Sequence, residues 1–249
     1  MKVLFPSRSL APYIETYYIS SDLRQDSPPA HFPAISTSYI KFSRTSAVVS
    51  GQATRPTAAN ASFSSGTGLG VKLRPGAFPS LFGIPAHEVT DRVIPLEDIL
   101  GNSASGLIEQ ISTATTASAQ LQLFEKALMR FVQSRYNSKD LIGQEVVTVL
   151  RKLSIMQVSK LAQTLGYSSR HFQRKLNEFI GFSPRLYRRI SRFERTLELI
   201  QISSKHGKTN WSAIALACNY TDQSHFIREF RQFAGQTPAA YLAALQGSY

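Results

Sequence analysis

Cysteine is nearly absent: Cys218 stands alone in 249 residues. A lone thiol excludes an internal disulfide and leaves no basis for a cysteine-rich metal site. Histidine is thin and scattered, at positions His31, His87, His171, His206 and His225. No HExxH, GxSxG or paired-cysteine motif occurs, so the sequence points away from an enzyme and calls for no metal and no cofactor. No stretch of about eighteen apolar residues exists, which argues against a membrane span. The opening MKVLFPSRSLAPY lacks an apolar run of signal-peptide length, so a cytoplasmic protein is expected. Acidic residues are the last shortage: 16 Asp+Glu face 28 Lys+Arg, a net charge of +12.

That excess is uneven. Residues 1–140 carry 13 Lys+Arg and 10 Asp+Glu, a net of +3, whereas residues 141–249 carry 15 and 6, a net of +9. A basic excess gathered in one part of a chain suits a polyanionic partner and a salt-dependent affinity.

The first part reads as a small β-rich unit. LAPYIETYYIS (10–20), STSYIKFS (36–43), AVVSGQAT (47–54) and GLGVKLRPG (68–76) have strand-like aromatic and β-branched content between Ser, Gly and Pro punctuation. DLRQDSPPAHFP (22–33) reads as a loop. Gly66-Thr67-Gly68-Leu69-Gly70 resembles a phosphate loop only superficially, because no Lys-Ser/Thr follows at Walker spacing; it reads as a turn into a strand. Ile14, Tyr18, Tyr39, Ile40, Phe42, Val71 and Leu73 are the expected apolar interior. From residue 77 the pattern turns helical: AFPSLFG is a short helix ended by Gly83, and helices are expected over 104–115 and 118–135. The second of these carries Leu121, Phe124, Leu128, Phe131 and Val132 at helical spacing. RYNSKD (135–140) reads as a linker.

The rest of the chain repeats itself. LAQTLGYSSRHFQRKLNEFIGFSPRLY (161–187) is answered by IALACNYTDQSHFIREFRQFAGQTPAAY (214–241), first at an offset of 53 and then, from Phe172 and Phe226 onward, at 54. Each copy reads as helix, tight turn, helix, stop. Gly166 supplies the first turn, where positive φ is cheap for glycine; Asn219 supplies the second, asparagine being tolerant of left-handed geometry. Ser168 is the expected N-cap of one second helix, and Thr221 or Asp222 of the other. Phe172, Leu176 and Phe179 form a buried stripe, matched by Phe226, Phe230 and Phe233; Gly181 and Gly235 end the helices. This is the helix-turn-helix plan.

Opposite the stripes lie long polar side chains: Arg170, Gln173, Arg174 and Asn177 on one helix, Gln223, Ser224, Ile227, Arg228 and Arg231 on the other. Arg pairs bidentately with guanine and Gln with adenine in the major groove. Between the copies, RLYRRISRFERTLELIQISS (185–204) is one helical pattern with Leu186, Ile190, Phe193, Leu197 and Ile200 inward. Its arginines either reach phosphates or pair with Glu194, Glu198 and other acidic groups, with a slight preference for phosphates.

The words GYSSRHFQRKLNEFIGFSPRLYRR and ACNYTDQSHFIREFRQFAGQTPAAYL, their spacing and the connecting helix resemble the AraC/XylS family of transcription regulators over about residues 141–245. Asn219 departs from the family's usual glycine. The resemblance implies two recognition helices entering successive major grooves about one helical turn apart. It places the base-reading positions on Arg170, Gln173, Arg174, Gln223, Ser224, Ile227 and Arg228; Arg188 on the connecting helix is the candidate phosphate contact. GVKLRPGAFPSLFGIPAHEVTDRVIPLEDILG (70–101) is similar to the N-terminal domain of one branch of that family.

The expected fold is α+β: a β-rich N-terminal regulatory domain with helices (1–138), then an all-α DNA-binding domain (141–245) of two helix-turn-helix modules joined by a long helix. Residues 141–249 are expected to bind DNA by themselves. Double-stranded DNA is the expected partner and transcription regulation the expected output, with activation and repression both open. RNA polymerase, a small-molecule effector of the N-terminal domain and a second copy of the chain are further candidates. Two rivals stay open: a DNA-damage or redox sensor using Cys218, and a nonspecific architectural protein. Cys218 falls at an expected buried position of a short helix and reads as core.

Overall fold

The computed structural model describes residues 2–20, 31–43, 45–58, 68–135, 149–150, 152–153, 156–204 and 209–246. Most of the expected 22–33 loop and 135–140 linker, Gly66, Thr67, His206, the boundary between 138 and 141, and the side chains of Phe131 and Val132 lie outside the described residues. The chain divides into two compact units. One comprises Met1–Pro28, Thr37–Gln52 and Asn60–Pro184; the other comprises Pro29–Ser36, Ala53–Ala59 and Arg185–Tyr249.

The first unit is built on a six-stranded antiparallel sheet. Its strands are β1 (Lys2–Leu4), β2 (Ile14–Ser20), β4 (Tyr39–Phe42), β5 (Ala47–Ser50), β7 (Gly68–Leu73) and β8 (Val93–Pro95), in the order β1-β2-β7-β4-β5-β8. β7 lies between β2 and β4. Its Val71 pairs with Tyr17 on one side and Ile40 on the other, and Leu69 with Ile19 and Phe42. Strand side chains alternate between faces, so these residues share one buried face. Against that face pack α1 (Ala77–Phe82), α2 (Leu96–Leu100), α3 (Asn102–Thr113) and α4 (Ala117–Arg135). Phe124 of α4 meets Tyr17 and Phe42 edge-on, at centroid distances of 6.1 and 5.5 Å, a favoured aromatic geometry.

Five of the seven expected interior residues, Ile14, Ile40, Phe42, Val71 and Leu73, are buried, whereas Tyr18 and Tyr39 are only partly so. Tyr17 takes the core place expected of Tyr18. The register of β2 slips between Ile14 and Thr16. One extra residue on a strand turns every later side chain to the opposite face, so Ile14 and Tyr17 both point inward. The Tyr17 hydroxyl donates to Glu125 Oε1 at 2.9 Å. The same unit carries the first module: α5 (Val158–Thr164) and α6 (Ser169–Ile180).

The second unit contains the two-stranded pair β3 (His31–Phe32) and β6 (Thr57–Ala58), nearly all of α7 (Pro184–Ser204), and α8 (Trp211–Ala217), α9 (Gln223–Ala234) and α10 (Pro238–Gln246). Its core is aromatic: Phe193 of α7 and Phe226, Phe230 and Phe233 of α9 are each 0% exposed. Phe193 lies 5.2 Å from Phe230 and 5.5 Å from Phe233 between ring centroids. Burying such a ring stabilises by about 1.5–3 kcal/mol. On α7, Ile190, Phe193 and Ile200 are buried as expected, and Leu186 and Leu197 are partly buried. The protein is thus of mixed α+β class, an antiparallel sheet with helices followed by a helical C-terminal region. No helix among the described residues is long and apolar enough to cross a membrane.

Candidate nucleic-acid interface

The two modules share one local plan. In the first, Gly166 takes φ +73° and the Tyr167 amide returns to the Ala162 carbonyl at 2.9 Å. In the second, Asn219 takes φ +56° and the Tyr220 amide returns to Ala215 at 3.0 Å. Asparagine therefore does serve where glycine was the alternative. Each second helix opens on a side-chain cap: Ser168 Oγ accepts from the His171 amide at 3.3 Å, and Asp222 Oδ1 from the His225 amide at 2.7 Å. Asp222, rather than Thr221, is the second cap; the Thr221 hydroxyl is instead 2.8 Å from His225 Nδ1. Each helix closes on a left-handed glycine, Gly181 (φ +80°) and Gly235 (φ +76°).

These caps and the buried stripes fix what faces outward. On α6, Arg170, Gln173 and Arg174 are exposed and Asn177 is partly buried; on α9, Gln223, Ser224, Arg228 and Arg231 are exposed and Ile227 is partly buried. Each expected set thus lies on one helix, away from its apolar stripe. Arg174 is paired on the surface: its Nη1 lies 2.6 Å from Glu178 Oε1 one turn on, and its guanidinium remains 59% exposed. An exposed pair of this kind is weak, so the guanidinium can exchange Glu178 for another acceptor.

On the connecting helix, two arginines take the second of the two expected roles and pair with an acidic group. Arg189 and Arg192 turn onto Glu229 of α9, with Nε–Oε2 and Nη2–Oε1 distances of 2.7 Å each. Glu229 is only 4% exposed. Glu194, an expected arginine partner, accepts from the Ser36 amide at 2.9 Å and the Ser36 hydroxyl at 2.6 Å. Arg188 is partly buried. The role of Glu229 was hidden in the sequence, though its position three residues after Phe226 and four before Phe233 is a buried-stripe spacing.

Other chemistry is sparse. Cys218 is 2% exposed at the end of α8, a packing position rather than an accessible nucleophile. Among the described residues no three His, Cys, Asp or Glu side chains gather as a metal site.

Two capped helix-turn-helix modules, each with a basic polar outer face, define a helix-turn-helix protein. Residues 161–244 match the family model described as a helix-turn-helix domain, and the chain carries such a domain of the AraC type, the kind found in DNA-binding transcription regulators. Residues 2–95 match a second model, described as a domain of unknown function (DUF6597). No curated protein matches the chain. Among solved structures the chain is similar to ToxT from Vibrio cholerae. An apo ToxT variant is 15% identical, with 91% of this chain and 96% of that chain covered and a TM-score of 0.48. Wild-type ToxT bound to an unsaturated fatty acid is 16% identical, with 91% and 93% covered and a TM-score of 0.46. ToxT bound to (E)-4-(8-methylnaphthalen-1-yl)but-3-enoic acid is 14% identical, with 91% and 96% covered and a TM-score of 0.48.

Proposed function

We propose that the chain is a sequence-specific, effector-responsive transcription regulator that reads double-stranded DNA with α6 and α9. One observation carries the reading: both modules present an exposed Arg-Gln face opposite a buried phenylalanine stripe, on a helix whose start is fixed by a side-chain cap. Phosphate binding alone requires only positive charge. Forked guanidinium and amide groups on rigid helices suit base edges in the major groove. Arg170, Gln173 and Arg174 read one half-site; Gln223, Ser224, Ile227 and Arg228 read the next, about one helical turn away. Arg188 contacts phosphate.

Residues 141–245 carry the DNA-binding function and residues 1–138 the regulation. A cavity of about 390 Å³ supports an effector site in the N-terminal region. Phe42, Leu69 and Ile111 supply apolar walls, and Ser43, Ser112, Thr113, Thr115 and Gln120 supply neutral polar groups. Its size lies at the lower end of the range of small-molecule sites, and its largely neutral polar lining suits an uncharged polar effector. Activation through RNA polymerase, and pairing with a second copy, complete the reading.

Selection of the full chain on random duplexes, followed by footprinting, tests this. Enrichment of two motifs about 10–10.5 base pairs apart supports it. Uniform protection without enrichment identifies an architectural DNA-binding protein instead.

A further inference from the structure

The second recognition helix is fastened at three places by two arginines of α7. At the module's turn, Arg192 Nη1 donates to the Asn219 carbonyl at 3.4 Å, and its guanidinium lies 4.6 Å from the Tyr220 ring centroid. At mid-helix, Arg192 Nε and Nη2 donate to Glu229 Oε1 at 3.1 and 2.7 Å, while Arg189 Nε donates to Oε2 at 2.7 Å. Further along, Arg189 Nη2 donates to Gln232 Oε1 at 2.6 Å, and its guanidinium lies 5.0 Å from the Phe233 ring centroid. His225 Nε2, one turn before Glu229, lies 3.9 Å from Oε2.

The first module carries a different residue at the equivalent place. At the offset of 54, the position of Glu229 is held by Lys175. That ammonium lies 3.5 Å from Glu178 of its own helix. The carboxylate is therefore not part of the shared helix-turn-helix plan. A buried carboxylate is costly to desolvate unless charged, hydrogen-bonding partners surround it. Here both oxygens are satisfied by arginine forks, whose planar geometry fixes direction as well as distance. The same forks are thereby committed to the protein.

We propose that Glu229 is the positioning residue of the second recognition helix, and that it withholds Arg189 and Arg192 from the DNA backbone. The proposal rests on the DNA-binding reading above. Its consequence is a division of labour within one basic surface. Glu229 converts two arginines that would bind any sequence into a clamp that holds Gln223, Ser224 and Arg228 in register for one sequence. Without the carboxylate, specificity falls while nonspecific affinity rises. A residue that merely supports folding would lower both together.

The experiment uses the full chain, a selected duplex and a scrambled duplex, with fluorescence anisotropy across a salt series. Glu229→Gln removes the charge and keeps the shape; Glu229→Met is a second variant if the first fails to fold. Circular dichroism checks both. The expected result is a cognate-to-scrambled ratio lowered about tenfold, with discrimination lost at the second half-site. Scrambled DNA should bind more tightly, with a salt slope steeper by up to about 1.8, since each newly engaged phosphate contributes about 0.9. Adding Arg189→Gln and Arg192→Gln to the variant should return that slope to the wild-type value. Equal loss on both duplexes, an unchanged ratio, or a steeper slope that persists without the arginines overturns the proposal. If the wild-type chain itself shows no preference for any duplex, the DNA-reading assignment fails first and this one falls with it.

Discussion

Thr90 Oγ1 donates a hydrogen bond to the carbonyl of Gly181 at 3.0 Å, so a hydroxyl from the N-terminal half of the chain closes the C-terminus of α6. Gln52, 1% exposed, supports that hydroxyl: its Nε2 donates to Thr90 Oγ1 at 2.8 Å and to the Ala86 carbonyl at 2.7 Å. Ser38 Oγ completes the chain by donating to Gln52 Oε1 at 3.0 Å. Thr90→Val keeps the shape and removes the donor, leaving the buried Gly181 carbonyl without it. Urea unfolding should show a loss of about 1–3 kcal/mol. A change under about 0.5 kcal/mol would mean that the relay contributes little.

The glycines of the two modules make a graded prediction. Gly166 has φ +73° and open space around an added Cβ. Gly166→Ala therefore meets only the left-handed backbone penalty, about 1–2 kcal/mol. At Gly235 an added Cβ also reaches Pro56 at 3.4 Å. At Gly181 it collides with the Gln52 amide and the Thr90 hydroxyl. Thermal melts of the three alanine variants should rank Gly181→Ala well below the other two, and equal losses would contradict the packing described.

The residues behind these predictions were unequally legible. Gly166, Asn219, Gly181 and Gly235 could be placed because turn and cap chemistry is local to a few residues. The phenylalanine stripes could be placed because helical spacing repeats without interruption. Tyr17 could not, because a single bulge in β2 inverts the alternation and nothing in ETYYIS marks it. Glu229 could not either: its partners Arg189 and Arg192 stand about forty residues away on another helix. The relay from Ser38 to Gly181 spans more than a hundred residues, beyond any local pattern.

Cys218 tests the sensor alternative. Its thiol is 2% exposed, so a thiol reagent should modify the native protein slowly and the urea-unfolded chain at once. Modification of native protein as fast as of unfolded chain would revive the redox reading.

Alkali probes the packing of the second unit. Burial pushes the phenols of Tyr187 and Tyr220 up to about 12, above about 10 for an unfolded chain. A raised folded pKa favours the protonated form, so this contribution to stability is full below pH 10 and declines as pH rises from about 10 to 12. Ultraviolet titration should show phenols ionising late in native protein, and stability falling over that window. Titration of every tyrosine near pH 10 in folded protein would contradict their burial.

The central claim is that both modules read bases, and Arg174 with Arg228 tests it most directly. Both are exposed at equivalent places on α6 and α9. The measurement is the affinity of folded Arg174→Ala, Arg228→Ala and Arg188→Ala variants for cognate and scrambled duplexes at fixed salt. Either recognition-helix variant should lose about 1–3 kcal/mol on the cognate site and relax preference at one or two base pairs of its own half-site. Arg188→Ala should weaken all duplexes alike and lower the salt slope by about one. If Arg174→Ala and Arg228→Ala weaken cognate and scrambled DNA by the same factor, those side chains hold only the backbone and the base-reading account is wrong.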